Sequence, residues 1–329
     1  MTGALPGSQA AILKGLASAV SGMPPFGGLL ILTFHRVLAE PDPLVDDPAA
    51  KTFSALVDML ARVFQPLTVR DAAVRLRNGD LPARSVCITF DDGYANNFDV
   101  ALPILKAKGV PATFFVSTGF LGNGCMWNDV VIESVKGARR TIDLRELDLG
   151  THSVGSSAER RRAVDALLDK IKYLEPPARL RTVTRVAELC GVAVPTHLMM
   201  EPHEVRGLAA AGMEIGAHTV THPILARLDS SAAEEEIARS KQGLEEITGA
   251  PVTSFAYPNG RPGRDYERSH VQMVRKVGYE AAVSTAWGCA RRQSDPYQLP
   301  RIAPWDDTLL KYAARMLRSY LSVKPAPAV

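Results

Sequence analysis

Short apolar runs set at helix-length intervals constrain this chain more than any other feature. Leu29 to Phe34, Val86 to Phe90 and Thr113 to Val116 are long enough for buried strands and too short for buried helices. Between the second and third runs, residues 97–108 place Val100, Ile104 and Leu105 on one side of a helix that Gly109 stops. A strand, a helix and a strand within about thirty residues is the unit of a parallel sheet. Upstream, Phe53, Leu56, Val57, Leu60 and Phe64 recur at helical spacing over residues 52–64. Downstream the alternation resumes. Pro202 suits the first turn of a helix that ends at Gly212, and Met213 to Ala217 is a strand. Ser231 with Glu234 reads as a capping box, opening a helix that carries Ile237, Leu244 and Ile247. Strands at 253–257 and 280–284 flank a helix at about 265–277. Alternation of this length predicts an α/β fold built on a parallel sheet or barrel.

Residues 121–200 break the pattern. They are charge-rich and helical, with Ser157 as a cap before Val164, Leu167, Leu168, Ile171 and Leu174, and a second helix from about 178 to 189 closed by Gly191. No strand of sheet quality is expected there, so the stretch reads as a helical insertion. The organisation predicted is an N-terminal segment 1–28, a domain over 29–320 interrupted at about 121–200, and a flexible Pro/Ala-rich tail 321–329. Residues 10–20 suit a short amphipathic helix.

With 329 residues and 46% apolar content, a sizeable core is expected. Lys plus Arg exceeds Asp plus Glu by 38 to 35, without the concentrated basic face of a nucleic-acid protein. The four cysteines lie far apart with no CxxC, so no cysteine zinc site is expected, and Cys87 reads as a core residue. Leu29 to Leu32 is the longest apolar block near the N-terminus, far short of the roughly twenty residues of a membrane span. No secretory signal pattern is evident. A cytoplasmic protein is the expectation, with peripheral membrane contact or association with a biosynthetic complex left open.

Functional groups in parallel α/β folds collect where strands end. His35 follows the strand at 29–34, and Asp91-Asp92-Gly93 follows the one at 86–90. His218 and His222 follow 213–217, Pro258-Asn259-Gly260 follows 253–257, and Arg301 stands in a late Leu-Pro-Arg-Ile stretch. The i, i+4 histidines suit two imidazoles on one face of a helical turn and, with a carboxylate, a divalent metal. The spacing alone is a weak signal; its place at a strand end beside an acidic pair strengthens it. Asp-Gly is an ordinary turn signal, but a turn needs one aspartate, and a second charge in a desolvated spot is costly. A metal resolves the conflict: one carboxylate ligates the cation and the other takes a proton from water.

Thr89-Phe90-Asp91-Asp92-Gly93 and His218-Thr219-Val220-Thr221-His222-Pro223 resemble the first two motifs of the polysaccharide deacetylases, the NodB-homology or family 4 carbohydrate esterases. The resemblance covers most of residues 29–305 outside the insertion. It implies a distorted (β/α) barrel and metal-dependent removal of N- or O-acetyl groups from a carbohydrate, a hydrolase of linear amides. By motif match Asp91 is the general base, and Asp92, His218 and His222 are the metal ligands. Phe255-Ala256-Tyr257-Pro258-Asn259-Gly260 is similar to the third motif, which implies a backbone oxyanion donor at Asn259. Thr33-Phe34-His35-Arg36-Val37 resembles the opening of the exopolysaccharide-modifying branch. Two departures stand out. Phe255-Ala256 occupies the place of the usual arginine, for which Arg301 is the candidate orienter of Asp91. No histidine follows His270, so the general acid is open between His35, for which a place behind the ligands is the alternative reading, and Asp91 itself. Zinc is the expected cation, with iron, cobalt and nickel compatible with the same ligands. The substrate expected is an acetylated sugar or polysaccharide, an exopolysaccharide or a lipid-linked precursor. Tyr94, Tyr257, Pro258 and Trp287 are candidate substrate contacts, with Trp127 and Trp305 as further aromatic candidates. A non-catalytic carbohydrate-binding or assembly subunit with the same fold is the alternative.

Overall fold

Parallel strands dominate the structure, a computed structural model, which describes residues 5–21, 28–122, 124–303, 306, 308–322 and 326–329. The strands are β1 (Leu30–Phe34), β2 (Gln65–Leu67), β3 (Ser85–Phe90), β4 (Thr113–Val116), β5 (Thr141–Leu144), β6 (Gly150–Ser153), β7 (Glu214–Ala217), β8 (Ser254–Ala256), β9 (Ala281–Trp287) and β10 (Leu299–Arg301). The helices begin with α1 (Gly7–Ser21), α2 (Ala50–Val63), α3 (Val69–Asn78), α4 (Leu102–Lys108), α5 (Trp127–Gly137) and α6 (Ser157–Ile171). They continue with α7 (Pro176–Cys190), α8 (Pro202–Ala210), α9 (Ser230–Thr248), α10 (Arg268–Val277) and α11 (Leu309–Leu321). The chain forms two units. One comprises residues 1–40, 47–119 and 200–329; the other comprises 41–46 and 120–199.

In the first unit the strands run β1-β3-β4-β7-β8-β9-β10, with β2 also paired to β3 and every pairing parallel. β3 is buried at all six positions, as a strand covered on both faces must be. It takes β1 along one edge. The other edge is shared, β2 pairing with residues 85–87 and β4 with 89–90, so the barrel is distorted at this point. The ring is nearly closed where the chain leaves β10: Ile302 N–H donates to Ile31 O (2.8 Å) and Thr33 N–H donates to Ile302 O (3.1 Å). Alternation then divides the side chains. Phe34 and Phe90 face outward against Phe53 of α2, and Phe90 stacks on the outward Phe114 at 4.8 Å. Ile31 and Cys87 face the interior, where they join Phe115 and Val283 and pack on Val69, Ala72 and Leu76 of α3. Above this apolar floor the same inward register delivers Thr89 and Arg301.

The second unit is not purely helical. Beside α5, α6 and α7 it contains the antiparallel pair β5–β6, which the sequence reading excluded. β5 is only four residues long and carries Asp143, yet Ile142 and Leu144 are buried while Thr141 and Asp143 are exposed. The hairpin joins Val131, Val135, Leu167 and Val183 in one core, to which Leu44 also belongs.

Other expectations shift by a few residues. Ser156, not Ser157, caps α6, accepting from Glu159 N–H (3.3 Å). α9 is capped by Asp229, which accepts from Ala232 N–H (2.9 Å), so Ser231 lies inside the first turn. The helix expected at 97–108 opens as a π-turn over Asn97–Ala101 before α4. The tail is not loose throughout: α11 runs to Leu321, and Val329 N–H donates to Gln298 Oε1 (2.8 Å) while Gln298 Nε2 donates to Val329 O (3.1 Å).

At the start of β7, the buried Glu214 carboxylate ties four elements together. It accepts from the hydroxyls of Thr113 on β4 (2.7 Å) and Ser254 on β8 (2.7 Å), and from Arg70 N–H in the first turn of α3 (3.1 Å). Burial raises its pKa above the ordinary carboxylate value, and the three donors pull it back without cancelling that shift. Because the folded pKa exceeds the unfolded one, ionised Glu214 costs stability above that range, and the cost disappears as pH falls below the unfolded value. Glu214→Ala strands three donors and is expected to destabilise by roughly 2–4 kcal/mol in denaturant titration. Glu214→Gln, which keeps the shape without the charge, is expected to become more stable relative to the wild type as pH rises from acidic to neutral; a variant-minus-wild-type stability difference that falls over that range would contradict this.

Candidate active site

All the strands of the first unit point the same way, so their C-terminal ends share one rim. Asp91 and Asp92 leave β3 there. Asp91 N–H donates to Phe34 O at the end of β1 (2.9 Å), and Ser117 N–H beyond β4 donates to Asp92 O (3.1 Å). The pair is thereby fixed between two neighbouring strands. Asp92 takes φ +78° and Gly93 φ +95°. A Cβ on Gly93 would sit 3.0 Å from Val116 Cγ1, so the turn needs glycine on steric and conformational grounds.

The two carboxylates have different surroundings. Arg301, 2% exposed, grips Asp91 with both ends of its guanidinium: Nη1 to Oδ1 and Nη2 to Oδ2, each 2.7 Å. Its Nε donates to Ser284 O (3.1 Å) and its Nη1 to Thr89 Oγ1 (3.3 Å). Burial works to raise the Asp91 pKa, but the charge of Arg301, with His218 and His35, holds it well below the usual carboxylate range. Asp92 instead faces imidazoles, its Oδ1 lying 3.6 Å from His218 Nε2 and 3.4 Å from His222 Nε2.

One ligand atom from each of Asp92, His218 and His222 lies within 4.8 Å of the others. Ligands at zinc distances around a tetrahedral cation stand about 3.3 Å apart, so the donor set fits a divalent metal in both chemistry and spacing. His218 Nδ1 lies 2.7 Å from Ala256 O. A carbonyl only accepts, so Nδ1 carries the proton and the Nε2 lone pair is left for a cation. Burial pulls the His218 pKa down to about 4, which keeps the ring neutral near pH 7.

His218 and His222 do not lie on a helical turn, as their spacing suggested. The segment is a loop in which Thr219 takes φ +65° and His222 φ +52°. Polar contacts hold this shape. Thr219 Oγ1 accepts from His222 N–H (3.1 Å), and Gly119 N–H donates to Val220 O (2.8 Å). A Cβ on Gly119 would approach Val220 O to 2.7 Å, which explains the glycine. The main anchor is Glu236 of α9, whose Oε2 accepts from Val220 N–H (2.8 Å) and Thr221 N–H (2.9 Å) and whose Oε1 accepts from Thr221 Oγ1 (2.7 Å). The sequence offered no way to choose it, because three consecutive glutamates open that helix and only the fold shows which one turns toward the loop.

His35 follows β1 and is open to solvent, though the protein around it works against its charged form; the charges of Asp92, Asp91 and Asp47 outweigh that and raise its pKa. Asn259 follows β8 with φ +58°, its carbonyl accepting from Thr285 Oγ1 (2.7 Å) while Thr285 N–H donates to Gly260 O (2.8 Å). His270 is occupied elsewhere: its Nδ1 accepts from Glu267 N–H (2.9 Å) at the start of α10.

The aromatic expectations are largely corrected. Tyr257 follows the outward register of Phe255, is buried, stacks on Tyr266 at 3.9 Å and donates its hydroxyl to Tyr297 O (3.1 Å), so its ring belongs to the core. Pro258 is buried as well. Tyr94 is buried beneath Arg36, whose guanidinium lies 4.9 Å from the ring centre. Trp127 lies in the second unit under Arg179. Trp287, at the end of β9, remains 43% exposed. Trp305 lies outside the described residues.

Comparison with known proteins agrees with this geometry. The polysaccharide deacetylase family profile matches residues 78–282, well over half of the chain, which therefore belongs to that family. YxkH of Bacillus subtilis (strain 168), provisionally named a polysaccharide deacetylase, is 24% identical over 240 residues, or 73% of this chain and 58% of that protein. Poly-β-1,6-N-acetyl-D-glucosamine N-deacetylase of Staphylococcus aureus (strain MSSA476) is 30% identical over 98 residues, 30% of this chain and 34% of that protein. The chain thus spans less than two thirds of the length of these curated relatives. Among solved structures, the Streptococcus pyogenes deacetylase PplD in complex with acetate aligns with a TM-score of 0.59 and 18% identity over 90% of this chain and 99% of that one. IcaB from Ammonifex degensii aligns at 0.58 and 19% identity over 90% and 97%. These structural likenesses establish the shared fold.

Removing the Glu236 anchor frees the loop between the two imidazoles. Glu236→Ala is expected to weaken zinc binding by about 10- to 100-fold in a chelator-competition titration, with little change in metal-free melting temperature. Undiminished zinc affinity would show that the loop holds its shape without the carboxylate.

Proposed function

We propose that this protein is a metal-dependent N-deacetylase acting on an acetamido sugar of an exopolysaccharide or its lipid-linked precursor. The observation that carries this reading is the split environment of the adjacent carboxylates: Asp91 is clamped by Arg301, while Asp92 shares a donor set with two imidazoles. A binding module needs no such division. The Staphylococcus relative supports an N-acetylated substrate, and the Thr33-Phe34-His35-Arg36-Val37 opening supports the exopolysaccharide branch.

Asp92, His218 and His222 hold the cation, with zinc the best match to two imidazoles and a carboxylate. When bound, such an ion supplies Lewis acidity, acidifying water and polarising an acyl oxygen. Asp91 remains outside the ligand set as the proton acceptor for the attacking water. Arg301 keeps it ionised and fixes its orientation, at some expense of basicity. A carboxylate of low basicity returns its proton readily, which suits Asp91 to protonate the departing amine as well. His35, whose neighbouring carboxylates favour its charged form, is the second candidate for that step. Asn259 offers its backbone N–H to the developing oxyanion, a contribution of about 3 kcal/mol for one such donor.

Two substitutions separate the roles. Asp92→Asn is expected to lose bound metal. Asp91→Asn is expected to keep metal and lose turnover by roughly 10²- to 10⁴-fold. Acetate release from N-acetylglucosamine oligomers, with and without chelator, reads both. Normal release by Asp91→Asn, or release that survives complete metal removal, refutes the assignment. Metal binding with no acetate from any acetylated glycan favours the non-catalytic alternative.

A further inference from the structure

We infer that Asp265 and Thr285 are positioning residues that aim the Asn259 N–H at the reaction centre, an inference that rests on the deacetylase reading above. Asn259 stands in a loop pinched at its base: Tyr257, which opens the loop, stacks at 3.9 Å on Tyr266, which closes it. Between the two rings the chain turns sharply, with Asn259 at φ +58°, Gly260 at +68° and Gly263 at +72°. Asn259 N–H donates to no protein acceptor among the described residues. It lies in one rigid plane with Pro258 O, which accepts from Gly260 N–H (2.6 Å). An N–H points where its peptide plane points, so its aim is set by whatever stops this plane and the next ones from rotating.

Two residues do this. On β9, Thr285 Oγ1 donates to Asn259 O (2.7 Å) and Thr285 N–H donates to Gly260 O (2.8 Å). At the far end of the loop, Asp265 Oδ2 accepts from Arg261 N–H (3.1 Å). Gly260 O and Arg261 N–H belong to one peptide unit, which is therefore gripped at both polar ends, one by each residue. Asp265 N–H also donates to Arg261 O (2.9 Å), so a single residue binds both polar groups of Arg261. The Asp265 side chain has no other polar contact. It is fully buried, and its Oδ1 has no hydrogen-bond partner among the described residues. A buried oxygen left unpartnered is costly, so the one bond this carboxylate makes accounts for its presence. Asp265 O accepts from Ala226 N–H (3.0 Å), which docks the segment just past His222 on the same loop. That bond belongs to the backbone and survives replacement of the side chain.

Acetate release from N-acetylglucosamine oligomers by the zinc-loaded protein tests the inference. An N–H that meets only the developing oxyanion acts in the transition state, so kcat carries the loss. Asp265→Ala is expected to lower kcat by about 10- to 100-fold, the scale of a small misalignment, with KM and zinc affinity within about twofold of the wild type. Asp265→Asn keeps an acceptor oxygen and is expected to restore most of the rate. Thr285→Val removes one hydroxyl bond at an exposed position. It is expected to lower kcat by about 3- to 10-fold, with rescue by Thr285→Ser, and it decides the matter even if Asp265→Ala does not fold. Hydrogen–deuterium exchange at Arg261 N–H, expected to rise about tenfold or more in Asp265→Ala, reads the clamp without turnover. Unchanged kcat in the alanine and valine variants, a loss carried by KM or zinc affinity, or failure of asparagine and serine to rescue overturns the inference. If Arg261 exchange responds as expected while the wild type releases no acetate, the deacetylase reading is what falls, and the positioning role falls with it.

Discussion

The buried ion pair between Arg301 and Asp91 is the interaction on which the rest of the rim depends. Arg301 ends the last strand of the ring and Asp91 ends β3, on the far side of β1. With its bonds to Ser284 O and Thr89 Oγ1, one guanidinium joins β3, β9 and β10 beneath the proposed reaction centre. Closing the ring and aiming the acid are therefore the same contact. Its geometry requires arginine: the planar fork meets both carboxylate oxygens, which a lysine ammonium does not reproduce. Such a pair is strongly asymmetric in energy. Losing either partner leaves the other charged and desolvated, at a cost of about 3–5 kcal/mol, although forming the pair adds little net stability.

Below this pair the interior is layered. Ile31, Cys87 and Phe115 make an apolar layer on α3 beside the Glu214 cluster, and along β3 the inward polar groups of the rim begin with Thr89, one alternation above Cys87. The low dielectric of that layer strengthens every charge placed over it. The same desolvation that keeps His218 neutral would make two neighbouring carboxylates intolerable without cations. The arginine answers for one of them, and the imidazole pair, with the cation proposed for it, answers for the other.

Much of this was readable from the chain because the chemistry lies at strand ends and the strands are apolar. Asp91, Asp92, His218, His222 and Arg301 are brought to one rim, as reading the ends of consecutive strands suggested. The losses have physical causes. β2 and β10 are three residues long and contain proline, too short for any period to show. α3 builds its buried stripe on Ala72 and Ala73, whose small side chains give a weak apolar signal. The histidine spacing pointed to a helix because i, i+4 fits one, whereas a loop pinned by Glu236 brings the same two rings together. Tyr257 was misplaced because aromatic character says nothing about which face of a strand a residue continues.

Of the six described non-glycine residues with positive φ, four are Asp92, Thr219, His222 and Asn259, all on the rim. A left-handed backbone at such residues costs on the order of 1 kcal/mol or more each, and glycine would adopt it without that penalty. The chain thus keeps its conformational tension around the proposed reaction centre. Selection for heat tolerance alone would be drawn to these four codons and would relax them toward glycine, removing the carboxylate of Asp92 and the imidazole of His222 as it went. A thermally hardened descendant that still carries aspartate at 92 and histidine at 222 would therefore bear the mark of retained chemistry.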